Sequence, residues 1–86
     1  MKEVIHTSNA PAAIGPYSQA IKAGGAIYVS GQLPVDPATG AFAGDTIQEQ
    51  TRQSLTNIKN ILASAGADMS DVTKTTVLLQ DIADFG

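Results

Sequence analysis

Few side chains in this chain could carry chemistry, and three of them fall near one another in the sequence pattern. Tyr17, Ser30 and Gln32 offer a phenol, a hydroxyl and a carboxamide, with the Gly31 backbone between the last two. Such groups can orient a small polar molecule by donating and accepting hydrogen bonds, and they equally suit an ordinary polar sheet face. His6 is the only histidine and has neither cysteine nor a carboxylate pair at ligand spacing. A solvent-facing histidine at a strand end is therefore preferred to a metal ligand or general base. Asp68/Asp71 and Asp81/Asp84 are carboxylate pairs three residues apart. Each falls where a helix cap or connection needs acceptors, which favours capping over acid–base work. Arg52, the only arginine, could hold a carboxylate in a bidentate fork. Its place three residues after Glu49, beside an apolar stripe, favours a solvated helix-surface pair.

The elements that must position these groups follow from turn chemistry and periodicity. Lys2 to His6 reads as a short strand, followed by a loop from Thr7 to Pro16. Tyr17 to Ala23 and Ala26 to Gln32 are strand-like runs separated by Gly24-Gly25, the signature of a two-residue hairpin turn. That turn sets Ala23 opposite Ala26, Ile21 opposite Tyr28, Gln19 opposite Ser30 and Tyr17 opposite Gln32. Tyr17, Ser30 and Gln32 thereby share the open end of one face. The other face carries Ala20, Ile27 and Val29 as a small apolar patch. Leu33-Pro34 should stop the ladder, and Asp36 to Gly40 reads as a turn.

Thr46-Ile47-Gln48-Glu49 has the form of a capping box and opens a helix. Ile47, Thr51, Leu55, Ile58, Leu62 and Ala65 recur at three- and four-residue steps, and Gly66 stands where a left-handed cap closes a helix. After the connection Asp68 to Asp71, the β-branched run Val72 to Gln80 reads as a further strand. Asp81 to Phe85 reads as the capped first turn of a second helix. The expected architecture is a β-β-β-α-β arrangement of helix on sheet.

Size and composition bound the possibilities. The chain has 86 residues, 43% of them hydrophobic and 15% charged, which is one small domain with too much apolar content to stay disordered. A domain of this size has limited core, and self-association is expected. Without cysteine, disulfide scaffolds, zinc ribbons and thiol nucleophiles drop out, and a cytoplasmic location is expected. No apolar run approaches the roughly 18 residues of a membrane span. The net charge is −3 and the five basic residues are scattered, which argues against a nucleic-acid partner. Neither G-x-G-x-x-G nor G-x-x-x-x-G-K-[ST] occurs, so dinucleotide and ATP sites lack their motifs. No metal and no cofactor is assigned.

Three blocks together carry a specific resemblance: Asn9 to Ala20 (NAPAAIGPYSQA), Tyr28 to Pro34 (YVSGQLP) and Lys74 to Val77 (KTTV). With this spacing the chain resembles the RidA/YjgF family of reactive intermediate deaminases along its whole length. The resemblance implies a chorismate-mutase-like α+β fold, in which two β-α-β halves share one sheet with helices on one face. It also implies homotrimers with clefts between subunits. The implied activity is hydrolysis of 2-iminobutanoate and 2-iminopropanoate to 2-oxo acids and ammonia, without metal or cofactor. On this sequence Tyr17 matches the family tyrosine lining the cleft, and Gly31 matches the glycine whose backbone contacts ligand, flanked by Ser30 and Gln32. The family's carboxylate-binding arginine and water-positioning glutamate lie in its C-terminal third. Gly86 falls where the family's second helix starts, so residues 1–86 are expected to be one domain represented by its N-terminal portion. Two other functions remain open at this point: a non-catalytic oligomeric ligand-binding or regulatory protein, and an endoribonuclease or translation inhibitor.

Overall fold

A computed structural model describes residues 1–86. Strands β1 (Glu3–Ile5), β2 (Ala20–Ala23) and β3 (Ala26–Val29) form an antiparallel sheet in that order, and helix α1 (Ile47–Ser64) packs on it. Single 3₁₀ turns follow at Met69–Asp71 and Ile82–Phe85.

The hairpin keeps the expected register, with Ala23 opposite Ala26 and Ile21 opposite Tyr28. It is shorter than expected. After a last bond from Ser30 N to Gln19 O (2.9 Å), the ladder ends. The Tyr17 amide that would have paired with Gln32 instead donates to Gly15 O at 2.9 Å. Gly15 has φ +134, a conformation open to glycine and costly for a residue with Cβ. This turn lifts Tyr17 out of the sheet. Past the hairpin, Asp36 closes its turn by accepting from the Ala38 amide (2.8 Å) and the Gly40 amide (2.8 Å).

Ala20, Ile27 and Val29 face α1 as the alternation demands. Ile5, Ala10, Ala20 and Ile61 form the core, with Ile27, Val29 and Ala65 packed against it. Helix α1 is rotated relative to its apolar periodicity. Its buried residues are Asn57, Ile61 and Leu62, while Leu55 is 45% exposed. The reason is polar. Asn57 is drawn inward by main-chain carbonyls that need donors, which turns Thr51 and Leu55 outward. Thr46 caps the helix through its hydroxyl, which accepts from the Glu49 amide at 3.1 Å. The other half of the expected box does not form, because the Glu49 carboxylate accepts from the Thr46 hydroxyl (2.8 Å). Gly66 closes the helix: its amide reaches Ala63 O (3.1 Å) and the Ala67 amide reaches Leu62 O (2.9 Å), the paired bonds of a Schellman cap.

The strand expected over Val72 to Gln80 does not form. Val72 is extended, but the segment enters no ladder. β-branched composition suits a pleated surface only where a partner strand supplies hydrogen bonds, and here Val77 and Leu79 lie beside α1 instead. The observed α+β order is therefore β-β-β-α with an extended tail. Asp68 caps its 3₁₀ turn in a full capping box with Asp71. Asp81 caps the last turn by accepting from the Ala83 amide at 3.0 Å, and that turn is 3₁₀ rather than α.

Candidate functional site

Two concavities differ in what lines them. The smaller, about 220 Å³, lies between the Pro11–Tyr17 loop and the segment that leaves β3. Tyr17, Gly31 and Gln32 line it, with Pro11, Ile14, Leu33 and Val35 as apolar wall. Its volume is below the roughly 300–1,000 Å³ of drug-sized sites and fits a small metabolite. The larger, about 690 Å³, is an open groove between α1 and the C-terminal tail, lined by Ile47, Leu55, Val77 and Phe85 among others.

Three of the four residues singled out in the sequence meet in the smaller cleft. Tyr17 is 52% exposed at its mouth. Gln32 donates from Nε2 to Ser30 O at 3.2 Å, a contact that occupies its nitrogen only. Gly31 presents bare backbone: an added Cβ there would meet no atom within 4 Å. Ser30 is the exception. Its hydroxyl donates to Ser18 O at 2.5 Å, and the residue is absent from the cleft lining. The hydroxyl is thus engaged at the hairpin end.

The remaining polar candidates lie elsewhere. His6 is exposed just past β1, and no three histidine, cysteine or acidic side chains converge anywhere. Arg52 lines the larger groove. The expected partner Glu49 turns to Thr46. Every residue lining the smaller cleft is uncharged. A carboxylate there would meet the Tyr17 phenol, the Gln32 amide and main-chain groups.

Sequence reasoning missed two buried polar side chains that bond to the segments lining the cleft. Gln19 and Asn57 are both buried. Gln19 was placed on the hairpin face by alternation, yet it turns into the Thr7–Pro11 loop. The usable signal for Asn57 was its phase: Gln53, Asn57 and Ile61 stand four apart on one side of α1.

A family model described as Endoribonuclease L-PSP matches residues 7–86. The chain belongs to this family. A RutC family protein of Pyrococcus horikoshii is 58% identical over 85 residues, which cover 99% of this chain and 68% of that protein. The 2-iminobutanoate/2-iminopropanoate deaminase of Bos taurus is 52% identical over 85 residues, covering 99% of this chain and 62% of that one. The crystal structure of the YjgF gene product of E. coli superposes with a TM-score of 0.91 at 49% identity, over 96% of this chain and 65% of that one. The RidA/YjgF resemblance and the α+β fold expected from it hold. The chain spans about two thirds of the length of these relatives.

Proposed function

We propose that the cleft between Tyr17 and Gly31 binds short 2-oxo acids and their imines. In this reading residues 1–86 supply the N-terminal part of a reactive-intermediate deaminase acting on 2-iminobutanoate and 2-iminopropanoate. The observation that carries the reading is the convergence of Tyr17, Gly31 and Gln32 on one small cavity, in a chain 52% identical to a deaminase of that name. Gly31 adds support. It has no positive φ and a Cβ would meet nothing, so its own fold makes no demand for glycine. Close approach of a ligand would.

The chemistry asks little of the protein. Water attacks the electrophilic C2 of the iminium, giving a carbinolamine. One water proton passes to nitrogen; the C–N bond then breaks as the carbinolamine hydroxyl becomes the carbonyl, and the departing ammonia takes up the hydroxyl proton and leaves as ammonium. Positioning and oriented donors are enough to accelerate such a step, and the phenol of Tyr17 can orient the water or the imine nitrogen. Metal and cofactor have no role in this scheme. A carboxylate clamp belongs to the C-terminal third that the resemblance implies, and the smaller cleft's lining is uncharged. Val4 and Tyr28, 60% and 66% exposed, lie with Ile21 on the sheet face opposite α1. That face supports assembly as a homo-oligomer, a trimer if the family pattern holds. A cytoplasmic setting accords with the absence of cysteine. No observation favours RNA cleavage, given the scattered cations.

The test is 2-oxobutanoate formation from freshly generated 2-iminobutanoate. It compares the 86-residue chain alone and the chain mixed with the C-terminal third of the P. horikoshii relative. Turnover that appears in the mixture and falls at least tenfold in Tyr17→Phe is the expected result. No turnover in either sample, with no binding of 2-oxobutanoate, removes the reading. Binding without turnover in both assigns the chain to the ligand-binding alternative.

A further inference from the structure

We propose that Gln19 and Asn57 are positioning residues of the cleft. They are two buried carboxamides, one behind each wall, that fix its width and thereby select 2-oxo acids by chain length. The inference rests on the reading of the cleft as a 2-oxo acid site.

The two walls differ in main-chain support. Residues 7–14 make no main-chain hydrogen bonds. Gln19 stands in for them. Its Oε1 accepts from the Thr7 amide (2.7 Å), and the two hydrogens of its Nε2 are shared among Thr7 O (3.0 Å), Ala10 O (3.3 Å) and Pro11 O (2.8 Å). Pro11 lines the cleft, so the last of these bonds ends on the wall. Opposite, the segment Leu33 to Val35 has left the hairpin and bonds only within its own turn, from Val35 N to Leu33 O (2.8 Å) and Ala43 N to Pro34 O (3.0 Å), with a bridge between Val35 and Phe42; no main-chain bond joins it to α1 or to the sheet. Asn57 supplies the tie from α1. Its Nδ2 donates to Leu33 O (3.1 Å) and Val35 O (2.9 Å), while its Oδ1 accepts from Gln53 Nε2 (2.8 Å). Leu33 and Val35 both line the cleft.

The two ties share a frame. Asn60, one turn along α1, donates to Asn9 O at 2.9 Å, so the loop of the first wall is also referred to the helix. The distance between walls is then set by helix and sheet rather than by the loops themselves. A carboxamide suits the task because it donates and accepts without a charge, and burying a charge would be costly. No buried side-chain nitrogen or oxygen is left without a partner. Neither Gln19 nor Asn57 lines the cavity. Each acts through the wall it holds.

The test separates width from general stability. Asn57→Ser keeps one donor, and Gln19→Met keeps the volume without the hydrogen bonds. For each folded variant, NMR titration gives the Kd for 2-oxobutanoate and for 2-oxohexanoate, and amide exchange is read in parallel. A width-setting role shifts the ratio of the two Kd values at least fivefold toward the longer acid. It also speeds exchange locally, at Val35 and Asp36 in Asn57→Ser and at Thr7 in Gln19→Met, with α1 amides unchanged. Equal weakening of both acids, or exchange that rises uniformly, overturns the proposal. If the wild-type chain binds neither acid, the reading of the cleft fails by itself and the exchange pattern alone decides whether the walls are clipped. Should the variants not fold, the wild-type Thr7 amide decides: protection matching α1 supports the clip, and exchange at the rate of an unfolded chain removes it.

Discussion

The two faces of α1 have opposite fates. On one, Asn57, Ile61 and Leu62 are buried against the sheet and the Leu33–Val35 segment. On the other, Leu55 is 45% exposed, and the tail beside it carries Val77 at 68% and Phe85 at 78%. The first face holds the cleft and has its polar groups satisfied. The second holds apolar surface that nothing in the chain covers, a state usually relieved by association. The Tyr17 cleft wall is thus held by contacts made within the chain, whereas the groove beside the tail leaves apolar side chains open.

The strongest way to break this contrast is at its hinge. Ile61 is fully buried between helix and sheet, so Ile61→Ala removes methylenes from the only core the chain has. Urea unfolding should show a loss of about 2–5 kcal/mol. An equal loss from Leu55→Ala, on the open face, would mean that both faces are packed in solution and would dissolve the distinction.

Next in size is Gly31→Ala. The new methyl meets no protein atom within 4 Å, so stability should stay within about 0.5 kcal/mol. Binding of 2-oxobutanoate should weaken at least tenfold, about 1.4 kcal/mol. Calorimetry showing unchanged affinity would place the ligand away from Gly31.

What the sequence disclosed and what it hid divide along the same line. The hairpin register was legible because Gly24-Gly25 fixes it locally, and the helix because its caps and period are local signals. Tyr17, Gly31 and Gln32 lie just beyond that hairpin, and the turn at Gly15 and the segment leaving β3 bring them to one cleft. Composition cannot tell whether the Ser30 hydroxyl faces a cavity or, as here, the Ser18 carbonyl. Asn57 was hidden because periodicity assigns polar residues outward, and its inward turn depends on carbonyls 22 and 24 residues away. Val72 to Gln80 looked like a strand by composition, yet strands exist only in pairs.

Smaller again is the effect of polar changes on the open face. Leu55→Ser combined with Phe85→Ser should leave folding stability within about 1 kcal/mol, each site contributing the modest change of an exposed position. Self-association should weaken, seen as a lower average mass in sedimentation at the same concentration. A double variant that stays associated would move the interface to the sheet face carrying Val4 and Tyr28.

The smallest expected effect tests whether the connection after α1 behaves as an independent, local structure. Asp68 has its carboxyl held below the ordinary aspartate value of 3.8, chiefly by the Ser70 hydroxyl and then by the Ser70 amide, which donates at 2.7 Å. A depressed folded-state pKa means that the charged form stabilises the turn above the unfolded value, and that this contribution is lost as pH falls through the lowered one. The Met69–Asp71 turn should therefore loosen only below pH 3.8, visible as loss of amide protection at Ser70. Ser70→Ala removes the leading cause and should raise the Asp68 titration toward its ordinary value in carboxyl NMR, with the Tyr17 cleft undisturbed. If the cleft residues shifted along with Ser70, the tail would be coupled to the site through α1, and the two faces of the helix would have to be treated as one structure.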